Sequence, residues 1–326
     1  MPDYGRQDMK IVFLEINSLG DDVDYSLFNS LGEVVAYPLS DPAKNAERCK
    51  DADVVILNKI PVGADLLDGN TVTKLICVTA TGTNIVDFNY TNAHGITVTN
   101  VKGYSTESVV QHTFSLLFFL WEKMHYYDDF VKSGSYAEND VFSHFTEKFH
   151  ELGGHTFGIV GLGTIGKRVA QVARAFGCNV IYYSTTGSHN DSAYERVSLD
   201  DLLTRSDIIS VHAPLNEATK GLIGAKELSK MKKSAIVLNL GRGGIIDEAA
   251  LADALERGTI AAAGTDVLTR EPITKDNPLG RIKDSGKLVI TPHIAWATVE
   301  ARKRCADEVY ENIRAWMRGE ERNVCR

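Results

Sequence analysis

Three polar residues in the second half of the chain sit just past short apolar segments, and their types suit proton and anion chemistry. Arg242 lies in Asn239-Leu240-Gly241-Arg242-Gly243-Gly244, where flanking glycines let a rigid cationic fork project from a strand end. Glu271 closes the segment Gly264-Thr265-Asp266-Val267-Leu268-Thr269-Arg270-Glu271-Pro272, and His293 follows Thr291-Pro292. An imidazole titrates near neutrality, a guanidinium holds a carboxylate in a fixed geometry, and a carboxylate within hydrogen-bond reach fixes the imidazole ring and favours its charged form. Taken singly, each has an ordinary reading: a charge on a turn, a loop acid before proline, a satisfied histidine at a strand end. Their shared position after successive strands is what favours chemistry.

The elements that position them are organised around Phe157 to Gly177. The strand Phe157-Gly158-Ile159-Val160 leads into Gly161-Leu162-Gly163-Thr164-Ile165-Gly166, and Val169, Val172, Ala173 and Phe176 then recur at helical spacing. Gly161 permits a sharp turn out of the strand, Gly163 lets backbone N–H groups approach a pyrophosphate, and Gly166 lets helix and strand pack closely. The spacing alone is weak evidence in a chain with 27 glycines. Its strand-turn-helix context, and the second strand Asn179-Val180-Ile181-Tyr182-Tyr183, make it a dinucleotide cradle.

Further strands follow at Ile208–His212, Ala235–Asn239, Ala261–Thr265 and Leu288–Thr291, enough for a doubly wound domain with two mononucleotide halves. The first hundred or so residues repeat the alternation, with strands at Lys10–Leu14, Gly32–Tyr37, Asp53–Leu57, Lys74–Val78 and Ile96–Thr99. After the fourth comes the hydroxyl-rich Thr79-Ala80-Thr81-Gly82-Thr83-Asn84, at a carboxyl end where ligands of open sheets bind, although an ordinary turn has the same look. From Ser105 or Thr106 the pattern predicts one long helix toward Gly134, and a last helix runs from Val299 to Arg318 with Cys305, Val309, Ile313 and Trp316 on one stripe.

Composition narrows the class. The net charge of -8 argues against nucleic acid or an anionic membrane as partner, and the longest apolar run, Phe114 to Trp121 interrupted by Ser115, is too short to span a bilayer. The N-terminus lacks the apolar core of a signal peptide, so the cytoplasm is expected. Five cysteines match no zinc or redox spacing, and His144, His150 and His155 match no metal motif, so no metal is expected. No Gly-x-Ser-x-Gly elbow supports a hydrolase.

The ordered motifs resemble the family of D-isomer-specific 2-hydroxyacid dehydrogenases over nearly the whole chain: the Gly161 fingerprint, Gly241-Arg242-Gly243-Gly244, the Asp266 to Glu271-Pro272 segment, and Thr291-Pro292-His293. The resemblance implies two Rossmann-like doubly wound parallel-sheet α/β domains with a cleft between them. Residues 1–103 plus 293–326 would form a flavodoxin-like substrate domain and residues 104–292 a dinucleotide-binding Rossmann domain. It implies that Arg242 holds the substrate carboxylate and keto oxygen, that His293 donates and accepts the proton, and that Glu271 pairs with His293. Substrate contacts would include Thr81, Gly82, Thr83 and Trp296. Cofactor contacts would include Thr106, Gly161, Gly163, Thr164, Ile165, Gly166, Ser184, Ala213, Pro214, Thr219, Leu240, Gly241, Arg242, Asp266 and His293, with Asp266 meeting the nicotinamide carboxamide.

The implied reaction is reversible hydride transfer between NAD(P)H and a small 2-keto acid. Resemblance of Thr79–Asn84 and Gly103-Tyr104-Ser105-Thr106-Glu107 to glycerate dehydrogenase-like members favours hydroxypyruvate and D-glycerate. D-lactate or branched-chain substrates, and a non-catalytic corepressor-like role, are the alternatives. A phosphorylated substrate is disfavoured: the substrate-side loop carries no basic cluster, and the chain ends at Arg326 without room for an appended domain. The acid expected roughly 20 residues after the glycines, which would bond a ribose 2′-hydroxyl and repel a 2′-phosphate, is replaced by Ser184. Thr185, Thr186, Gly187, Ser188 and His189 follow with no Arg or Lys, so NAD is the expected cofactor, with weakened discrimination against NADP. The family resemblance also implies a homodimer built through the nucleotide domain and the 104–150 arm.

Overall fold

In the computed structural model, which describes residues 9–187 and 190–326, the chain divides into two compact α/β units. One comprises residues up to Ser105 together with Ala297–Arg326, the other Thr106–Trp296.

The first unit is built on β1 (Lys10–Phe13), β2 (Glu33–Ala36), β3 (Val54–Leu57), β4 (Leu75–Val78) and β5 (Thr97–Thr99), all parallel, in the order β2-β1-β3-β4-β5. β3 and β4 are buried at every residue, as expected of central strands covered on both faces. Val12, Leu14, Val55, Leu57, Ile76 and Val78 belong to one continuous core. The helix Val299–Met317 is capped by Thr298, whose side chain accepts from Ala301 N–H. It buries Cys305, Val309 and Ile313, while Asn312 Nδ2 donates to Asn100 O at 2.9 Å.

The second unit carries β6 (Thr156–Val160), β7 (Asn179–Tyr183), the two-residue β8 (Glu195–Arg196), β9 (Ile208–Val211), β10 (Ile236–Asn239), β11 (Ala262–Thr265) and β12 (Leu288–Ile290). Their order is β12-β11-β10-β9-β6-β7-β8, all parallel. The order reverses between β6 and β9, so a crevice for a ligand is expected at their carboxyl ends. Phe157, Ile159, Val169, Ala170, Ala173 and Tyr182 pack together under the helix Thr164–Ala175. Burying side chains of this size contributes about 1.5–3 kcal/mol each. At Gly264 in β11 an added Cβ would lie 3.3 Å from Leu116 Cβ, so glycine lets the helix Thr106–Trp121 approach that strand closely.

Several expectations need correction. The helix from Thr106 ends at Trp121 instead of running on toward Gly134, because Lys123 adopts the left-handed conformation (φ 56°) and a separate helix, Met124–Lys132, begins after it. No glycine or proline marks that break in the sequence. Two short strands were not foreseen: β8, and β13 (Val324–Cys325), which pairs antiparallel with β5. Trp316 is only half-buried, so its stripe is narrower than the periodicity implied. The division of the chain also differs, since His293–Trp296 group with the second unit and Tyr104–Ser105 with the first. The reason is local: Asp266 holds the backbone of Ile294 and Ala295, while Tyr104 O accepts a hydrogen bond from Arg304.

Candidate active site

The glycine turn begins where β6 ends. Gly161 has φ +93°, a region L side chains rarely adopt, and a Cβ there would meet Ala213 Cα and N at 3.0 Å. A Cβ on Gly166 would lie 2.2 Å from Gly161 O, which is why strand and helix can lie so close. Gly163 is different, because beyond its chain neighbours no atom among the described residues lies within 4 Å of an added Cβ. Gly163 is also the N-cap of Thr164–Ala175, and no side chain caps that helix. The fold gives no reason for glycine at 163, whereas open space beside a helix N-terminus with free donors is what a pyrophosphate requires. The residues present therefore fit a dinucleotide, with Thr164 and Ile165 in the first helical turn.

At the end of β7, Tyr183 O accepts from Gly161 N–H at 3.0 Å, which ties the turn to that strand. Ser184 is 6% exposed, and its hydroxyl has no hydrogen-bond partner among the described residues. Ser188 and His189 lie outside the described residues. After β9, Ala213 is buried, and Thr219 is fully buried with its hydroxyl donating to Pro214 O at 2.6 Å. Thr219 thus shapes the Pro214 turn. His212, just before this turn, is enclosed, and burial pushes its imidazole down to about 3. Its Nε2 lies 2.8 Å from Ser210 Oγ.

Leu240, Gly241 and Arg242 follow β10. A Cβ on Gly241 would be 2.7 Å from Ala213 O, and Asn239 clamps the turn by accepting from Gly241 N–H and donating to Arg242 O. One guanidinium N–H of the half-buried Arg242 donates to Gly241 O at 2.8 Å, and a guanidinium has five to offer. Glu271 Oε1 accepts from Leu268 N–H at 2.9 Å, and its Oε2 lies 2.6 Å from His293 Nδ1. That contact leaves Nε2 as the ring nitrogen turned to other partners.

His293 itself has φ +56°, tolerable for histidine only when its surroundings enforce it. They do so through Asp266, a carboxylate 2% exposed at the end of β11. Its Oδ1 accepts from Ile294 N–H at 2.8 Å and from the Thr291 hydroxyl at 2.6 Å, and its Oδ2 accepts from Ala295 N–H at 2.8 Å. These occupy three of a carboxylate's roughly four acceptor positions, leaving one on Oδ2. His112 Nε2 contacts Thr291 Oγ1 at 2.9 Å, and Ser108 Oγ donates to Ala295 O at 2.6 Å. Burial lowers the His112 pKa, partly offset by the Asp266 charge. Trp296, at the end of the same segment, packs half-buried against the core.

Arg242, Glu271, Asp266 and His293 are therefore all placed after parallel strands of one sheet, together with the glycine turn. Thr106 opens the first helix of that unit. Thr81, Gly82 and Thr83 belong to the other unit, past β4, where Thr81 Oγ1 donates to Val101 O at 2.7 Å and Asn100 Nδ2 donates to Thr81 O. His112, Thr291 and Ser108 were missed by sequence reasoning. Ser108 and His112, four residues apart and so on one face of the helix, were the available signal.

Comparison with known proteins gives the family. Residues 114–295 match the model of the D-isomer specific 2-hydroxyacid dehydrogenase, NAD binding domain. The chain is 39% identical over 316 residues to glycerate dehydrogenase of Methylorubrum extorquens, covering 97% of this chain and 98% of that one. It is 36% identical over 325 residues to hydroxypyruvate reductase of Blautia hydrogenotrophica, covering 97% and 99%. Among solved structures it is similar to D-lactate dehydrogenase from Aquifex aeolicus complexed with NAD and lactic acid, with TM-score 0.83, 27% identity and coverage of 95% and 96%. It is also similar to an acyclic imino acid reductase in complex with NADPH and D-arginine, with TM-score 0.86, 28% identity and coverage of 98% and 100%. Among the described residues no helix is long and apolar enough to cross a membrane. The chain belongs to the D-isomer specific 2-hydroxyacid dehydrogenases, and its Thr106–Trp296 unit contains the NAD-binding domain of that family.

Proposed function

We propose that this enzyme interconverts hydroxypyruvate and D-glycerate, and that Arg242, Glu271 and His293 carry the reaction. The observation that carries these roles is the 2.6 Å contact between Glu271 Oε2 and His293 Nδ1, on the same carboxyl edge of the sheet as Arg242. Bound NAD(P)H supplies the hydride that adds to C2 of the keto acid. As the C2–O π pair moves onto oxygen, His293 gives that oxygen the proton from Nε2, and Glu271 holds the ring through Nδ1. Arg242 keeps donors for the substrate carboxylate and keto oxygen, stabilising the charge that develops there. The resemblance assigns backbone donors of Thr81, Gly82 and Thr83 to the substrate carboxylate and Trp296 to a substrate contact. In oxidation the same imidazole accepts the hydroxyl proton.

The names of the two relatives above support hydroxypyruvate and D-glycerate as the substrate pair. Ser184 in place of an acid supports use of NAD with weakened discrimination against NADP. The test is a steady-state panel of 2-keto acids with NADH and NADPH. Highest kcat/KM for hydroxypyruvate is expected. No loss of reduced-cofactor absorbance with any 2-keto acid would overturn the reading, and a clear preference for pyruvate or a branched 2-keto acid would replace the substrate.

The same reading includes a homodimer through the second unit. It is supported by exposed apolar side chains in that unit's arm, where Phe142 is 90% and Phe145 78% exposed. Cytoplasmic residence is supported by five free cysteines, four of them buried.

A further inference from the structure

Resting on the dinucleotide reading of the glycine turn, a second feature bears on which dinucleotide is taken. From Ser184 to Asn190 the sequence offers no acid, and Asp191 is the first. The fold brings Asp191 back against β7, where its N–H donates at 3.0 Å to Oη of Tyr182, the phenol of the strand's penultimate residue. There Asp191 Oδ2 meets Lys167 Nζ at 3.0 Å, and Lys167 is the residue immediately after Gly166. The glycine turn reaches the same strand end through the bond from Gly161 N–H to Tyr183 O. This pair therefore ties the helix that follows the glycine turn to the loop that follows β7, the two elements between which a Rossmann fold places the adenosine ribose. Asp191 Oδ1 also accepts from Ala193 N–H at 3.0 Å, and this bond together with Lys167 holds its carboxyl below the usual carboxylate range. The lysine side chain is 48% exposed, its partner 22%.

We propose that Lys167 and Asp191 are the cofactor-selecting pair: Lys167 receives the 2′-phosphate of NADP(H), and Asp191 neutralises the ammonium when that phosphate is absent. A phosphate monoester brings a charge of about -1.5 to -2 at neutral pH, and a half-exposed ammonium on a flexible stem can turn to meet it. Asp191, fixed by Ala193, stays beside the phosphate and opposes it. The two charges offset each other, so the site neither excludes NADPH, as an unpaired acid at the strand end would, nor demands it. The buried Ser184 hydroxyl adds no charge to this balance.

The test is binding of NADH and NADPH to cofactor-free protein, measured by calorimetry, alongside steady-state kinetics. Asp191→Asn leaves a net positive charge and is expected to raise the preference for NADPH over NADH by about tenfold, between the values for two unit charges about 4 Å apart in water and near a protein surface. Lys167→Gln is expected to lower it by a similar factor, and the double variant to return near the wild-type ratio. The pair adenosine 2′,5′-bisphosphate and 5′-AMP should give the same changes without the nicotinamide. An unchanged ratio in both single variants, or equal loss of both nucleotides, would overturn the proposal and leave the pair a loop anchor. Wild-type protein that binds neither nucleotide would overturn the dinucleotide reading itself.

Discussion

Glu271 divides its carboxylate between backbone and imidazole: Oε1 accepts from Leu268 N–H at 2.9 Å, while Oε2 lies 2.6 Å from Nδ1 of His293. The backbone that follows β11 thus aims the imidazole that follows β12. Glu271→Gln keeps the shape and loses the charge, so kcat should fall about 10–100-fold with KM for the keto acid little changed. His293→Ala should lower kcat by about a thousandfold or more while NADH affinity, measured by fluorescence titration, changes little. Retained turnover in His293→Ala would remove the histidine from the mechanism.

Asp266 is a structural acceptor before it is anything else. Asp266→Ala would orphan the N–H groups of Ile294 and Ala295 and the Thr291 hydroxyl inside a segment that holds His293 at φ +56°. A buried donor left unsatisfied costs about 1–3 kcal/mol, so denaturant unfolding should show a loss of about 3 kcal/mol, and kcat should fall with it. Unchanged stability would mean that the segment is held by something else.

Glycines of the turn should separate by role. Gly163→Ala meets no atom within 4 Å among the described residues beyond its chain neighbours, so its unfolding midpoint should match wild type while NADH affinity drops about tenfold. Gly166→Ala places its Cβ 2.2 Å from Gly161 O and should cost about 1–3 kcal/mol of stability as helix and strand are pushed apart. Equal effects from the two would contradict the assignment of Gly163 to the ligand.

His212 should make stability fall in acid. Burial lowers its imidazole from the ordinary value of 6.5 to about 3, so the folded chain favours the neutral ring. Below pH 6.5 the unfolded chain takes up the proton first. The stability that comes from this group is therefore complete above 6.5 and is lost on acidification toward 3, by at most about 1.4 kcal/mol per pH unit. Unfolding measured from pH 7 to pH 4 should show this slope, and His212→Asn should flatten it.

Replacing Phe142 and Phe145 by serine removes apolar surface that is 90% and 78% exposed in the single chain. If this arm forms the dimer, sedimentation equilibrium should show a dimeric wild type and a weakened variant, with the monomer's fold unchanged by circular dichroism. A wild-type monomer at micromolar concentration would exclude the dimer.

Much of this protein was determined by the sequence itself, because its signals are local. Fully apolar runs such as Val54–Leu57 and Leu75–Val78 read as strands covered on both faces, and their alternation with segments of helical spacing points to parallel sheets. The Gly161–Gly166 spacing follows from backbone limits that any chain making that turn must meet. That Arg242, Glu271 and His293 lie past β10, β11 and β12 could be read from the sequence because each comes within about six residues of an apolar strand. Tertiary structure alone decided what depends on residues far apart in the chain. Nothing near Trp121 marks the left-handed Lys123 that ends the helix, and β13 exists only because the chain's end returns to β5. That Asp266 orders the His293 segment 28 residues later follows from strand order. Likewise, Ser184 reads as the loss of an acid until the fold brings Asp191 back to Lys167. Charges and hydrogen bonds act through space, and only the packed sheet sets which of them meet.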